Sequence, residues 1–299
     1  MKALYVAALL AALCTWPVPP SQAGPVAEEP PAPEEQAALQ PKFDGQSFVS
    51  LEELLENLPP ATSADAEYPP DASEAHAMEL CEKNPTEENA LTLGILRAGI
   101  ALRSLEAYRA KNPRPAPDED ADLRKALAYA LRAAEQVPDR ADFYYLLARV
   151  FGAFGCHGLT RELAMEACDE ALDCDPDHAE ALYFLAGLEF QSQYFDDAVT
   201  DFLKAFALSP ELFDLNAMPL FGSACLLSER AIDGMAFAQD RLGTDPNDGA
   251  ALFALAQFQR ALDRKEAVET LRKAAAALAG NAPAADYAHK VAALWEAEK

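Results

Sequence analysis

Six of the chain's 22 prolines recur at nearly even spacing: Pro85, Pro138, Pro176, Pro210, Pro246 and Pro283. Successive positions differ by 53, 38, 34, 36 and 37 residues. Each proline follows an Ala-rich, helix-like stretch, and most precede another. A period of this length marks stacked helical units, each of which buries its apolar face against its neighbours. Such arrays present surface to other molecules, which points to a binding protein before it points to an enzyme.

Composition agrees with that reading. The 299 residues suffice for one extended repeat domain or two compact ones. Half the residues are apolar (51%), and alanine far outnumbers Val, Ile and Thr, which favours helix over sheet. The formal net charge is −25. A surface this acidic repels phosphate backbones and anionic membranes, so nucleic acid is not an expected partner. It would attract a basic partner or divalent cations; the plainer account is that it keeps the chain soluble.

Residues 1–23 read as a targeting signal. Lys2 supplies a positive start, an apolar run extends from Ala3 to Trp16, and Ser21-Gln22-Ala23 places small residues at a cleavage site before Gly24. The run is too short for a permanent membrane span. Lipid anchoring at Cys14 is disfavoured because the bulky Leu13 precedes it. The mature chain is therefore expected to be exported, to a periplasm or outside the cell, with no stable membrane span. Export permits disulfides. The mature cysteines are Cys81, Cys156, Cys168, Cys174 and Cys225, an odd number without a framework-like spacing. Cys168 and Cys225 fall on apolar helix faces and read as small core residues; a Cys168–Cys174 bridge would need the helix to fray near Asp173.

Residues 24–71 read as an acidic, Pro-rich flexible leader. Within it, Ser50-Leu51-Glu52-Glu53 forms a capping box for a short helix over 50–58 with Leu51, Leu54, Leu55 and Leu58 on one stripe. That helix either docks on the main domain or serves as a linear motif. From 72 to 299 the pattern is helical. Asp71 or Ser73 caps a helix to about Lys83, and Thr86 caps a long one to about Lys111. Further helices fit near 118–136, 141–154, 159–174, 178–192, 195–208, 217–228, 229–243, 247–262, 264–279 and 283–298, the last suited to cap the array.

Ala179 to Glu211 is the clearest unit. Leu182, Leu185, Ala186, Ala198, Phe202, Ala205 and Pro210 fall at the spacing of the tetratricopeptide repeat, and the segment resembles that family. Tyr144, Leu147, Ala148, Phe151, Ala164, Cys168, Ala171 and Pro176 match in the preceding unit, with an insertion at Phe154-Gly155-Cys156-His157-Gly158. In the unit from Leu215 to Pro246, Gly222 and Gly234 take small positions and Pro219 shortens the front of its first helix. Leu252, Leu255, Ala256, Ala267, Leu271 and Ala274 fit the next, and Ala126, Ala130, Ala133 and Pro138 an earlier second helix. The resemblance implies an all-α, right-handed superhelical array of antiparallel helix pairs following the disordered leader.

The resemblance also implies where ligands bind: along a concave face lined by the first helix of each pair. By position that groove would include Tyr145, Arg149, Tyr183, Phe190, Ser223, Phe253, Gln257 and Arg260. Aromatics with a few arginines suit an amphipathic or extended peptide; the alternative for each is packing against a neighbouring helix. Some family members clamp a C-terminal carboxylate with Lys and Asn, but Tyr145, Arg149, Tyr183 and Gly187 stand at those places, so that activity is not expected. Cys156, His157, Cys168, Cys174 and His178 carry zinc-ligand chemistry without a paired-ligand spacing. No nucleotide-binding or hydrolase motif is present, and no cofactor is expected. Two functions follow: a non-catalytic exported adaptor binding a protein or peptide partner in a cell-envelope or secreted assembly, or a metal-binding or enzymatic protein using the Cys/His region.

Overall fold

A computed structural model describes residues 42–43, 46–47, 51, 72–114, 116, 120–154 and 159–297. The expected targeting signal, most of the expected leader, the insertion at 155–158 with Cys156 and His157, and most of the expected 50–58 helix lie outside these residues. Before the helical region the backbone forms a two-residue antiparallel ladder, β1 (Lys42–Phe43) with β2 (Gln46–Ser47). Twelve helices follow: α1 (Ala72–Lys83), α2 (Glu87–Ala110), α3 (Ala121–Gln136), α4 (Ala141–Ala153), α5 (Leu159–Cys174), α6 (Ala179–Gln191), α7 (Phe195–Leu208), α8 (Ala217–Leu227), α9 (Ala231–Thr244), α10 (Gly249–Ala261), α11 (Ala267–Ala277) and α12 (Ala282–Ala297). The expected order holds throughout. Boundaries move by up to three residues, and α1 begins one residue before Ser73, which therefore does not cap it.

The recurring prolines sit in recurring turns. In Asp175-Pro176-Asp177-His178 the Asp175 carboxylate accepts from the amide of Asp177 at 3.1 Å, and the amide of His178 returns to the Asp175 carbonyl at 3.1 Å. Asp245-Pro246-Asn247-Asp248 repeats this geometry, at 2.9 and 3.1 Å. Proline presets the backbone at the second turn position, and the aspartate holds the first. The residue closing each turn then caps the next helix. Nδ1 of His178 accepts from the amide of Ala181 at 3.2 Å, and Oδ1 of Asp248 from that of Ala251 at 2.9 Å. Thr86 caps α2 as expected from the sequence, and Asp120 caps α3. Pro219 lies in the first turn of α8, where a missing N–H breaks no intrahelical bond.

The described residues up to Phe184 form one compact unit and the described residues from Leu185 another. In the first, α2 packs on α3, α3 on α4 and α4 on α5, and α2 also meets α4. Helix α3 is buried continuously from Ala126 to Ala134 because small alanines let its neighbours approach closely. A buried polar network joins α1, α2 and α3. Glu74, 1% exposed, takes Nε of Arg97 at 3.2 Å on one oxygen and the hydroxyl of Tyr129 at 2.9 Å on the other. Arg97 also donates to Oε1 of Gln136 at 3.3 Å. Leu51, 2% exposed, lies in this unit, and its amide donates to Oε2 of Glu166 on α5 at 2.6 Å.

In the second unit, α7 packs on α8, α8 on α9 and α10, and α9 through α12 pack in succession. Its centre is a cluster of six phenylalanines, Phe202, Phe206, Phe213, Phe221, Phe237 and Phe258, with neighbouring centroids 5.0 to 6.1 Å apart and mostly edge-to-face. That geometry suits ring quadrupoles and adds to the area buried. A β-carbon on Gly234 would lie 2.4 Å from Cζ of the fully buried Phe258, which explains a glycine inside α9. Arginines stitch successive turns. Arg241 donates to the Pro210 carbonyl at 2.7 Å and to Asp248 at 2.9 Å, and lies over the Phe213 ring.

This packing sets the expected stability of three variants. Glu74→Ala strands Arg97 in the interior and should lower the unfolding free energy by about 3–5 kcal/mol in urea titration. Glu79→Ala, which removes the exposed partner of Lys83, should change it little. Gly234→Ala gains helix propensity but overpacks Phe258, with an expected net loss of about 1–2 kcal/mol.

Candidate functional site

In the first unit the first-helix face is built around Tyr145. Helix α4 turns Phe143, Tyr144, Leu147, Ala148 and Phe151 into the core and leaves Tyr145 and Arg149, one turn apart, half-buried on the other side. The guanidinium of Arg149 lies 5.6 Å from the Tyr145 ring centroid. The rings of His178 and Phe184 complete the setting, at 5.1 Å and 6.3 Å, the latter edge-to-face. Burial pushes the Tyr145 hydroxyl above the ordinary phenol range, with Arg149 opposing. Arg109, on the last turn of α2, also acts on this ring. Tyr183 is half-buried on α6.

In the second unit the candidate residues divide. Phe190 is half-buried against Phe195, at 5.6 Å. Phe253 is 1% exposed and stacks on Tyr287 of α12 at 5.8 Å. Arg260 lies over Trp295 of the same helix at 5.9 Å. The capping helix thus covers the part of α10 that carries two of the expected groove residues. Ser223 on α8 and Gln257 on α10 are also buried, and Oγ of the former and Oε1 of the latter have no hydrogen-bond partner among the described residues. Gly222 accommodates Gln257, since a β-carbon there would meet Oε1 at 3.1 Å. For Ser223, Phe253 and Gln257 the structure shows the packing alternative.

Of the Cys/His region, Cys168, Cys174 and His178 are described, and each has its own place. Cys168 is fully buried within α5, and Cys174 donates to the Pro138 carbonyl at 3.4 Å; among the described residues no disulfide joins Cys81, Cys168, Cys174 or Cys225. His178 is engaged as the cap of α6, with Nε2 toward Asp142 at 3.5 Å. Accepting at Nδ1 fixes the proton of the neutral ring on Nε2. Among the described residues no group of three His, Cys, Asp or Glu side chains could hold a metal ion. The cap was missed in the sequence because histidine is not among the usual capping residues. No described helix is long and apolar enough to cross a membrane.

No protein-family model and no curated protein matches the chain. Solved structures do. YrrB, described as a TPR protein with an unusual peptide-binding site, aligns with a TM-score of 0.50 at 19% identity, over 73% of this chain and 100% of that one. The fold is that of a tetratricopeptide-repeat protein. MamA 41-end from Desulfovibrio magneticus RS-1 aligns with a TM-score of 0.47 at 19% identity, over 63% of this chain and 97% of that one. Adjacent helices packed in pairs, with α2 meeting α4 and α8 meeting α10, are the same architecture seen from the contacts.

The buried thiols give a chemical check on this packing. Burial pushes the Cys225 thiol up to about 12. It should therefore stay protonated and unmodified in a short iodoacetamide pulse at pH 8 and react once urea unfolds the chain. Peptide mapping by mass spectrometry reads this directly; native labelling of Cys225 as fast as that of half-buried Cys81 would contradict the packing of α8.

Proposed function

We propose that this chain is a non-catalytic, exported adaptor that binds a protein or peptide partner along the first helices of its repeat pairs, within a cell-envelope or secreted assembly. The observation that carries this reading is the Tyr145 setting. The Tyr145 ring and the Arg149 guanidinium stay partly exposed on α4, whose other face is core, with the partly exposed Phe184 ring of α6 beside them. Rigid aromatics beside arginine are the residue types that dominate binding energy at interfaces. The peptide-binding site reported for YrrB lends the same direction to a chain of like fold. Export rests on the sequence of residues 1–23, whose charged start, apolar run and small-residue cleavage site form a secretory signal.

The test is affinity capture with the mature chain from the exported fraction of the source cells. A Tyr145→Ala, Tyr183→Ala double variant serves as the comparison; Phe253 is left intact because it is core. The wild type should enrich a partner at least tenfold over the variant, with circular dichroism unchanged. Equal recovery by the two proteins would remove this face from the proposal.

A further inference from the structure

First-turn residues of α4 and α6 meet at one imidazole. His178 ends the Asp175-Pro176-Asp177 turn and caps α6, its Nδ1 accepting from the amide of Ala181 at 3.2 Å. Its other nitrogen, Nε2, faces Oδ1 of Asp142, in the first turn of α4, at 3.5 Å. Asp142 takes Nη2 of Arg140 on its second oxygen at 3.1 Å. Oε2 of Glu180 lies 3.6 Å from Nδ1, and the Tyr145 ring centroid 5.1 Å from that of the imidazole. The same elements carry Asp175 and Asp177 in the turn, Tyr144 and Arg149 on α4, and Glu170, Asp173 and Cys174 toward the end of α5; α2, which packs on α4, has Arg109 in its last turn. The side chain of His178 is only 9% exposed, so these partners take the place of water.

Only one charge state of the ring satisfies the cap. Neutral imidazole accepts at one nitrogen and donates at the other, whereas imidazolium donates at both. The charged ring therefore cannot accept the Ala181 amide. It meets Oε2 of Glu180 at Nδ1 instead and keeps Asp142 at Nε2. The N-terminus of α6 opposes the positive charge, while the two carboxylates and the Tyr145 ring favour it. Histidine is the side chain whose charge ordinarily changes between about pH 5 and 8. We propose that His178 is a proton-operated switch: neutral, it caps α6; protonated, it gives up the Ala181 amide, bonds Glu180 through Nδ1 and sets a cation against Tyr145. The proton comes from water, and an N–H bond is the only covalent bond formed. The sister turn shows what the histidine adds. There Asp248 caps α10 through Oδ1 and pairs with Arg241 at 2.9 Å, and an ionised carboxylate only accepts, so that cap has no second state of this kind. On acidification the face built around Tyr145 gains a positive group in addition to Arg149. None of these groups depends on a bound partner, and all belong to the first unit.

Heteronuclear NMR of the mature chain between about pH 8 and 5 reads both ends of the switch. At the upper end the His178 ring should show the Nε2–H tautomer, and the Ala181 amide a hydrogen-bonded shift. As the ring titrates, the Ala181 amide and the Tyr145 ring signals should move with the same midpoint. His178→Asn keeps a capping oxygen without a titrating ring, so both signals should then hold still across the range. His178→Ala removes the cap, and its Ala181 amide should resemble that of the acidified wild type throughout. Where the Ala variant loses α6, the Asn variant alone decides. A ring that stays neutral down to about pH 5, an Nδ1–H tautomer at the upper end, an Ala181 amide or a Tyr145 ring that ignores the titration, or equal movement in the Asn variant would each overturn the switch.

Discussion

Close approach between helices is the constraint on which this structure depends. Ala126, Ala130, Ala133, Ala164, Ala171, Ala198 and Ala205 are all fully buried, and each stands where a larger side chain would hold two helices apart. The space they release is filled by a few large rings, Phe151 in the first unit and the six-phenylalanine cluster in the second. Gly234 is the extreme case, since Phe258 occupies the volume its own side chain would need. The prolines do not create this packing. They fix the turns that deliver each helix to it, and the residue ending each turn caps the helix that follows.

Most of the fold was legible because these constraints are written as residue types at fixed spacing. The unit from Ala179 to Glu211 gave its core, Leu182, Leu185, Ala186, Ala198, Phe202 and Ala205, and every one is buried. The turns inside the pairs were harder to read. Gln193, Glu229 and Asp263 adopt left-handed backbone, with φ of 67, 61 and 55°, at the joins between α6 and α7, α8 and α9, and α10 and α11. At Gln193 and Asp263 the amide of the next residue reaches back five positions, to Glu189 and Gln259, closing a Schellman motif. Glycine would announce such a turn, and none of the three is glycine. The Glu74–Arg97–Tyr129 network was equally hidden, because its members lie up to 55 residues apart and share no periodic position.

The candidate face was legible in part, for a related reason. Position within a helix pair says which side a residue faces, and it placed Tyr145, Arg149, Tyr183 and Phe190 on partly open surface. It does not say what the next helix brings. Tyr287 and Trp295 of α12 lie on Phe253 and Arg260, so within the second unit the last helix covers these two residues.

Leu51 sets this chain apart from a purely local array. Nearly all the contacts described link residues within a few tens of positions, a pattern that lets folding start in several places and spread. The bond from the Leu51 amide to Glu166 spans 115 residues. Closing so long a loop carries an entropic cost that nearest-neighbour packing does not, so it has little to gain until α5 is in place to receive it. The described chain thus combines helices that pack on near neighbours with one long-range contact, from Leu51, that has little to gain before α5 has formed.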